Sequence, residues 1–185
     1  GLTFVVISDD AKKAMAERKT PIASFYANLT TFAHYYEEKW FPYTMPISDI
    51  YGLRAAFNLI AGDKTLYERH ARIGSATRAA VKEAGLKLHL QSGYSNTVTV
   101  FDIPECTDAK SILDEMRTKY NIMLAGSFDE LSGKVIRIGH MGENARLEHM
   151  VPALEALSAT LTDLGVTLQG NLADLFLKHY RKFQD

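Results

Sequence analysis

The feature that most constrains this chain is an apolar run at its start, Leu2-Thr-Phe-Val-Val-Ile7. It is β-branched, aromatic and continuous instead of alternating, the pattern of a strand buried on both faces in a parallel or mixed α/β sheet. One strand cannot satisfy its own backbone groups and needs neighbours along its edges. No second strand-like run occurs before Leu86, because the intervening residues read as helices and turns. The chain also opens at Gly1 without a methionine and passes directly into this run. Sequence preceding Gly1 is therefore expected.

After the run, Ser8, Asp9 or Asp10 can cap a helix reaching Glu17, ended by the break before Pro21. A second helix is expected over residues 24–39, with Phe25, Tyr26, Phe32, Tyr35, Tyr36 and nearby Trp40 as a core or subunit-interface stripe. Residues 40–46 carry two prolines and read as an extended connection. Ile47, Ile50, Tyr51, Leu53, Phe57 and Ile60 then mark a helix stopped by Gly62. The next starts at Asp63, with Leu66, His70, Ile73, Thr77, Ala80, Val81 and Ala84 on one face and Gly85 where a left-handed cap is wanted.

From Leu86 the rhythm becomes α+β. Strands are expected over residues 86–90, 97–103, 122–124 and 135–138. Helices are expected over 107–119, over 144–164 with Pro152 inside, and over 171–183. Residues 86–164 thus form an antiparallel sheet with helices on one face. The last helix offers Leu168, Leu172, Leu175, Phe176, His179, Tyr180 and Phe183 as a packing face. The fold class is α/β with an α+β C-terminal domain.

Composition removes several functions. With 46% hydrophobic and 23% charged residues the chain is a folded one. Twenty-one Lys and Arg against 22 Asp and Glu leave a net charge of −1, no field for nucleic acid or an anionic membrane. Cys106 is the sole cysteine, so no internal disulfide forms, and no apolar stretch approaches the ~20 residues that span a bilayer. A cytoplasmic protein with neither nucleic-acid nor membrane partner is expected. There is no phosphate-binding glycine loop, nucleophile elbow, His-Glu-x-x-His pair or paired-cysteine site, and none of the six histidines is assigned to a metal.

The segment with chemistry in it is Gly133-Lys-Val-Ile-Arg-Ile-Gly-His-Met-Gly142. Arg137 interrupts a short apolar strand and by alternation points away from Ile136 and Ile138. A guanidinium there wants an anion: either an Asp or Glu of the same protein, or a small carboxylate held bidentately. The glycines at 126, 133, 139 and 142 are expected to let backbone or ligand approach closely.

Five segments in this order, beginning at Gly1-Leu-Thr-Phe-Val-Val-Ile-Ser8 and continuing with Ser24-Phe-Tyr-Ala-Asn-Leu29, Phe41-Pro-Tyr-Thr-Met-Pro46, Ile50-Tyr-Gly-Leu-Arg54 and the Arg137 segment, resemble class V aminotransferases. The similarity is to the alanine–glyoxylate and serine–pyruvate branch of that pyridoxal-phosphate family, and covers Gly1 to about Leu164. It implies the C-terminal part of a fold-type-I enzyme: residues 1–62 the end of the large cofactor-binding domain, 63–85 the connecting helix, 86–164 the small domain, and 165–185 a helical extension outside the resemblance. It implies Arg137 as the group binding the substrate α-carboxylate, and Thr44 as a contact to the cofactor phosphate of the other subunit of a homodimer. Phe41 departs from the pattern where some relatives carry a phosphate-binding tyrosine. The Schiff-base lysine is expected upstream of Gly1, since none of the twelve lysines stands in a matching context, so no catalytic residue is assigned in this chain.

The function so implied is transfer of an amino group from a small amino acid to a 2-oxo acid such as glyoxylate or pyruvate, with pyridoxal 5′-phosphate as cofactor and this chain alone inactive. Two alternatives are a non-catalytic α+β binding or regulatory module, which leaves residues 1–62 unexplained, and a lyase or desulfurase reaction on the same fold. For the desulfurase, Cys106 at a strand-to-helix turn is a poor candidate nucleophile.

Overall fold

The computed structural model describes residues 2–182 and divides the chain into two compact units, Gly1–Asp63 and Lys64–Asp185. Gly1 and Phe183, named above in the strand and the last packing face, lie outside the described residues.

In the first unit, helix α1 (Asp9–Ala16) starts where the Ser8 hydroxyl accepts the Ala11 N–H, with Asp9 and Asp10 in its first turn. Helix α2 (Ile47–Gly62) ends the unit. Neither helix buries a residue fully. One expectation finds no partner here and another fails. Residues 2–7 belong to no helix and pair with no strand among the described residues, and Val6 is 98% exposed. Among the described residues their ring contact is Phe4 against Phe57 of α2, centroids 6.2 Å apart. A strand exists only through a neighbour's hydrogen bonds, and this unit has no other strand to offer.

The expected helix over residues 24–39 is instead a set of turns around a short 3₁₀ segment, Leu29–Phe32. The Asn28 side chain accepts both the N–H and the hydroxyl of Thr30, a local bond that competes with helix propagation. The aromatic residues form a cluster around Tyr43, whose ring meets Phe25, Tyr26, Phe32 and Phe41 at centroid distances of 5.3–6.1 Å.

The second unit carries the core. Helix α3 (Leu66–Glu83) buries Ile73, Ala76, Thr77, Ala80 and Val81, and Gly85 follows it at φ +87°, a conformation that favours glycine. Strands β1 (Val98–Asp102) and β2 (Val135–Gly139) pair antiparallel. Helix α4 (Ala109–Tyr120) lies between them in sequence, capped by Asp108 and closed by Asn121 in the left-handed region. Helices α5 (Leu147–Asp163) and α6 (Leu172–Arg181) complete the unit. The expected outer strands at 86–90 and 122–124 are not strands: they contribute single bridges, Leu88 to Phe101 and Ala125 to Arg137. Each has too few consecutive ladder bonds to qualify, and the second bridge falls at Ala125, one residue past the expected segment.

The pleat sorts the sheet into two faces. Thr99, Phe101, Ile136 and Ile138 are buried with Ile112, Leu154, Leu157 and Leu161 in one core. Burying each large side chain contributes roughly 1.5–3 kcal/mol. Helix α6 belongs to that core, because Leu172 and Phe176 are fully buried, the Leu172 N–H bonds the Ser158 hydroxyl at 2.8 Å, and Arg72 of α3 donates to the Tyr180 carbonyl at 2.9 Å. Glu83 of α3 pairs with both Lys178 and His179 of α6.

Candidate functional site

Arg137 is at the centre of β2, opposite Val100 of β1. On its other edge its N–H donates to the Ala125 carbonyl at 2.7 Å, so the backbone is held from both sides. Alternation puts its side chain on the face away from the helical core, as expected. There the Nε–H donates to the Gly126 carbonyl, and the guanidinium carbon lies 5.7 Å from the centre of the Phe128 ring.

Among the described residues no carboxylate pairs with this guanidinium, and neither Nη1 nor Nη2 has a hydrogen-bond partner. The alternative in which Arg137 closes an internal ion pair is therefore not what the structure shows. The acid that shares its face, Asp102, is engaged elsewhere: Lys87 lies 2.7 Å and His89 2.8 Å from its two oxygens. Those bonds, Lys87 first, hold its carboxyl below the usual carboxylate range. A half-buried arginine with an unused fork suits an external anion.

Large apolar side chains near Arg137 in sequence are exposed. Met123 is 83% and Phe128 70% exposed, and Met141 is exposed as well. The glycines do less than expected. A Cβ at Gly139 would meet nothing within 4 Å, and the same holds at Gly133 and Gly142, so none of these three marks a close backbone approach. Gly133 and Gly142 are explained by φ of +71° and +59°.

Beyond β2, His140 is fully buried. Its Nδ1 faces the Asn96 carbonyl at 3.1 Å and its Nε2 the Thr99 hydroxyl at 2.9 Å. A carbonyl only accepts, so Nδ1 carries the proton and Nε2 accepts from Thr99. Burial pushes the ring pKa down to about 4. His70 of α3 reaches the same loop, accepting the Gly142 N–H at Nε2.

Thr44 lies in the first unit and is exposed, with no side-chain hydrogen bond among the described residues. Its neighbour Tyr43 anchors the segment, donating its hydroxyl toward the Phe25 carbonyl at 3.3 Å. Phe41 packs against Phe32, Tyr35 and Tyr43. Thr44 and Arg137 thus fall in separate units. All twelve lysines are exposed, as is Cys106. No group of three or more metal-ligating side chains occurs among the described residues.

Phe128 is a site residue that sequence reasoning did not single out, and Gly126, expected only as a point of close approach, supplies its carbonyl to Arg137. Their contact with Arg137 exists only because residue 125 bridges to 137, and no local pattern reports that pairing.

No family model matches the chain. Curated relatives do. A serine–glyoxylate aminotransferase of Methylorubrum extorquens is 35% identical over 173 residues, spanning 90% of this chain and 43% of the relative. The serine–glyoxylate aminotransferase of Arabidopsis thaliana is 34% identical over 189 residues, spanning 97% and 46%. Among solved structures, ureidoglycine–glyoxylate aminotransferase of Bacillus subtilis superimposes with a TM-score of 0.83 at 30% identity, covering 93% of this chain and 46% of that one. The chain spans less than half the length of these relatives. The match extends into residues 165–185, which corrects the expectation that the tail stands outside the resemblance.

Proposed function

We propose that this chain, whose homologues are serine/alanine–glyoxylate aminotransferase-like class V enzymes and which matches the C-terminal part of them, binds the substrate carboxylate in a pyridoxal-phosphate-dependent aminotransferase. The observation that carries the reading is the Arg137 fork, held at Nε by Gly126 and left without a carboxylate among the described residues. The reaction is transfer of an amino group from a small amino acid to a 2-oxo acid such as glyoxylate or pyruvate.

The residues present fit part of the cofactor and substrate. Arg137 offers two unused Nη groups to a carboxylate, and Thr44 offers an exposed hydroxyl that can donate to a phosphate. By the resemblance, none of the twelve lysines stands in the family's context, so the amine that holds the cofactor is assigned outside residues 1–185. When bound, pyridoxal phosphate supplies the electron sink that makes a proton on the amino acid's α-carbon removable. What this chain contributes is position. Arg137 grips both carboxylate oxygens, which restricts the α-C–H bond to rotation about a single axis. Thr44 contributes to the phosphate site of a second copy in a homodimer. Residues 1–62 belong to the large domain, where residues 2–7 join a sheet whose other strands come from outside this chain. Residues 63–85 form the connecting helix, 86–164 the small domain and 165–185 its helical extension. Among the described residues no helix is long and apolar enough to cross a membrane, and a cytoplasmic location is proposed.

The test is Arg137→Lys in the complete enzyme, with kcat/KM measured for alanine and for serine. Retained kcat/KM with a lowered melting temperature would reject the assignment.

A further inference from the structure

Resting on the role proposed for Arg137, we infer that Phe128 is a positioning residue for the substrate carboxylate, its ring face receiving the guanidinium while the Gly126 carbonyl occupies the Nε–H of Arg137. An arginine fork can receive a carboxylate side-on, through Nε and one Nη, or end-on, through both Nη groups. Here the Nε–H is spent on Gly126, so only the end-on approach remains for a bidentate anion. The Phe128 ring centre lies 5.7 Å from the guanidinium carbon, within cation–π range, an attraction that favours keeping the cation over the ring.

The exposure of Phe128 is the second argument. A large aromatic side chain 70% exposed contributes little to the core, and it is absent from the buried cluster of its unit. Its near neighbour Leu131, by contrast, is half-buried. Phe128 therefore has a partner in Arg137 and no other ring contact among the described residues. It sits three residues after Ala125, whose bridge to Arg137 sets the spacing. Sheet pairing delivers the ring to the cation.

Phe128 acts through Arg137, so its loss should be felt by substrates with a carboxylate and not by those without. In the complete holoenzyme, half-reaction rates are compared for alanine and for ethylamine, its analogue lacking the carboxylate. Acetate affinity is measured alongside by calorimetry. Phe128→Leu keeps an apolar side chain and removes the ring, whereas Phe128→Tyr keeps the ring. For Phe128→Leu the alanine preference and the acetate affinity should each fall ~3- to 30-fold, the range of cation–π strengths from exposed to desolvated sites. For Phe128→Tyr both should stay within about twofold, and ethylamine rates should be unchanged in both variants.

Arg137→Lys distinguishes the carboxylate role of Arg137 from the positioning role of Phe128. If it abolishes the alanine preference while Phe128→Leu leaves preference and acetate affinity intact, Arg137 binds the carboxylate and Phe128 does not position it. If Arg137→Lys itself leaves the preference unchanged, the carboxylate role fails, and the positioning role with it. An equal fall for alanine and ethylamine in Phe128→Leu would mark a general structural defect and also overturn the inference.

Discussion

His140 Nε2 accepts a hydrogen bond from the Thr99 hydroxyl at 2.9 Å, across the sheet and three residues beyond Arg137. Both partners are fully buried, and the opposite ring nitrogen donates to the Asn96 carbonyl. The strand that carries Arg137 is thus fastened at its end by a neutral imidazole. Burial of this ring ties the stability of the arginine strand to pH.

The sign follows from burial, which lowers the native pKa of His140 to about 4 against an ordinary value of 6.5. Between these values the unfolded chain binds a proton that the native ring refuses. The stabilisation is complete above pH about 6.5 and is lost as pH falls to about 4, on the order of 3 kcal/mol in all. Arg78 and His70 act on the ring in the same direction. Urea unfolding at pH 7 and pH 5 should show the loss in the parent protein. His140→Gln, which cannot titrate there, should show a flatter dependence at a lower overall stability. An unaltered pH dependence in that variant would locate the sensitivity elsewhere.

Arg137→Lys keeps the charge and loses the planar fork. In the complete enzyme kcat/KM for alanine should fall about 100-fold or more, near 3 kcal/mol for a charge-assisted pair, while cofactor affinity holds. Steady-state kinetics beside a cofactor titration checks both halves.

Thr44→Val removes a hydroxyl of roughly the same volume. A hydrogen bond to a phosphate contributes about 1.5–3 kcal/mol, so pyridoxal-phosphate affinity should weaken roughly ten- to a hundredfold. Heterodimers can be formed from Thr44→Val subunits and subunits lacking the cofactor-holding lysine. A cross-subunit contact places both lesions in one site and restores the other. Persistence of the Thr44 defect at the intact-lysine site would assign the residue to its own subunit.

Phe176 is fully buried in the second unit, its ring 5.7 Å from that of Tyr180. Phe176→Ala should cost about 3–5 kcal/mol, the range for aromatic truncation in a packed core. A denaturation midpoint within experimental error of the parent would contradict the placement of α6 in that core.

Where the physics is local, the sequence alone was sufficient. Helix α3 follows from three-to-four spacing ended by Gly85, α1 from Ser8, and the outward direction of Arg137 from two-residue alternation. Each depends on neighbours within one or two turns. Residues 24–39 show the limit: their aromatic spacing suggested a helix, yet the Asn28–Thr30 bonds and a cluster completed by Phe41 and Tyr43 decided otherwise. Residues 2–7 are strand-like in composition, but a strand is a relation between segments and requires a partner. The site divides in the same way. The sequence nominated Arg137 from its chemistry, whereas only the tertiary structure showed the Gly126 carbonyl and the Phe128 ring beside it and the engagement of Asp102 by Lys87 and His89. Those facts depend on which strand lies beside which, and pairing between distant segments leaves no mark in the periodicity of either one.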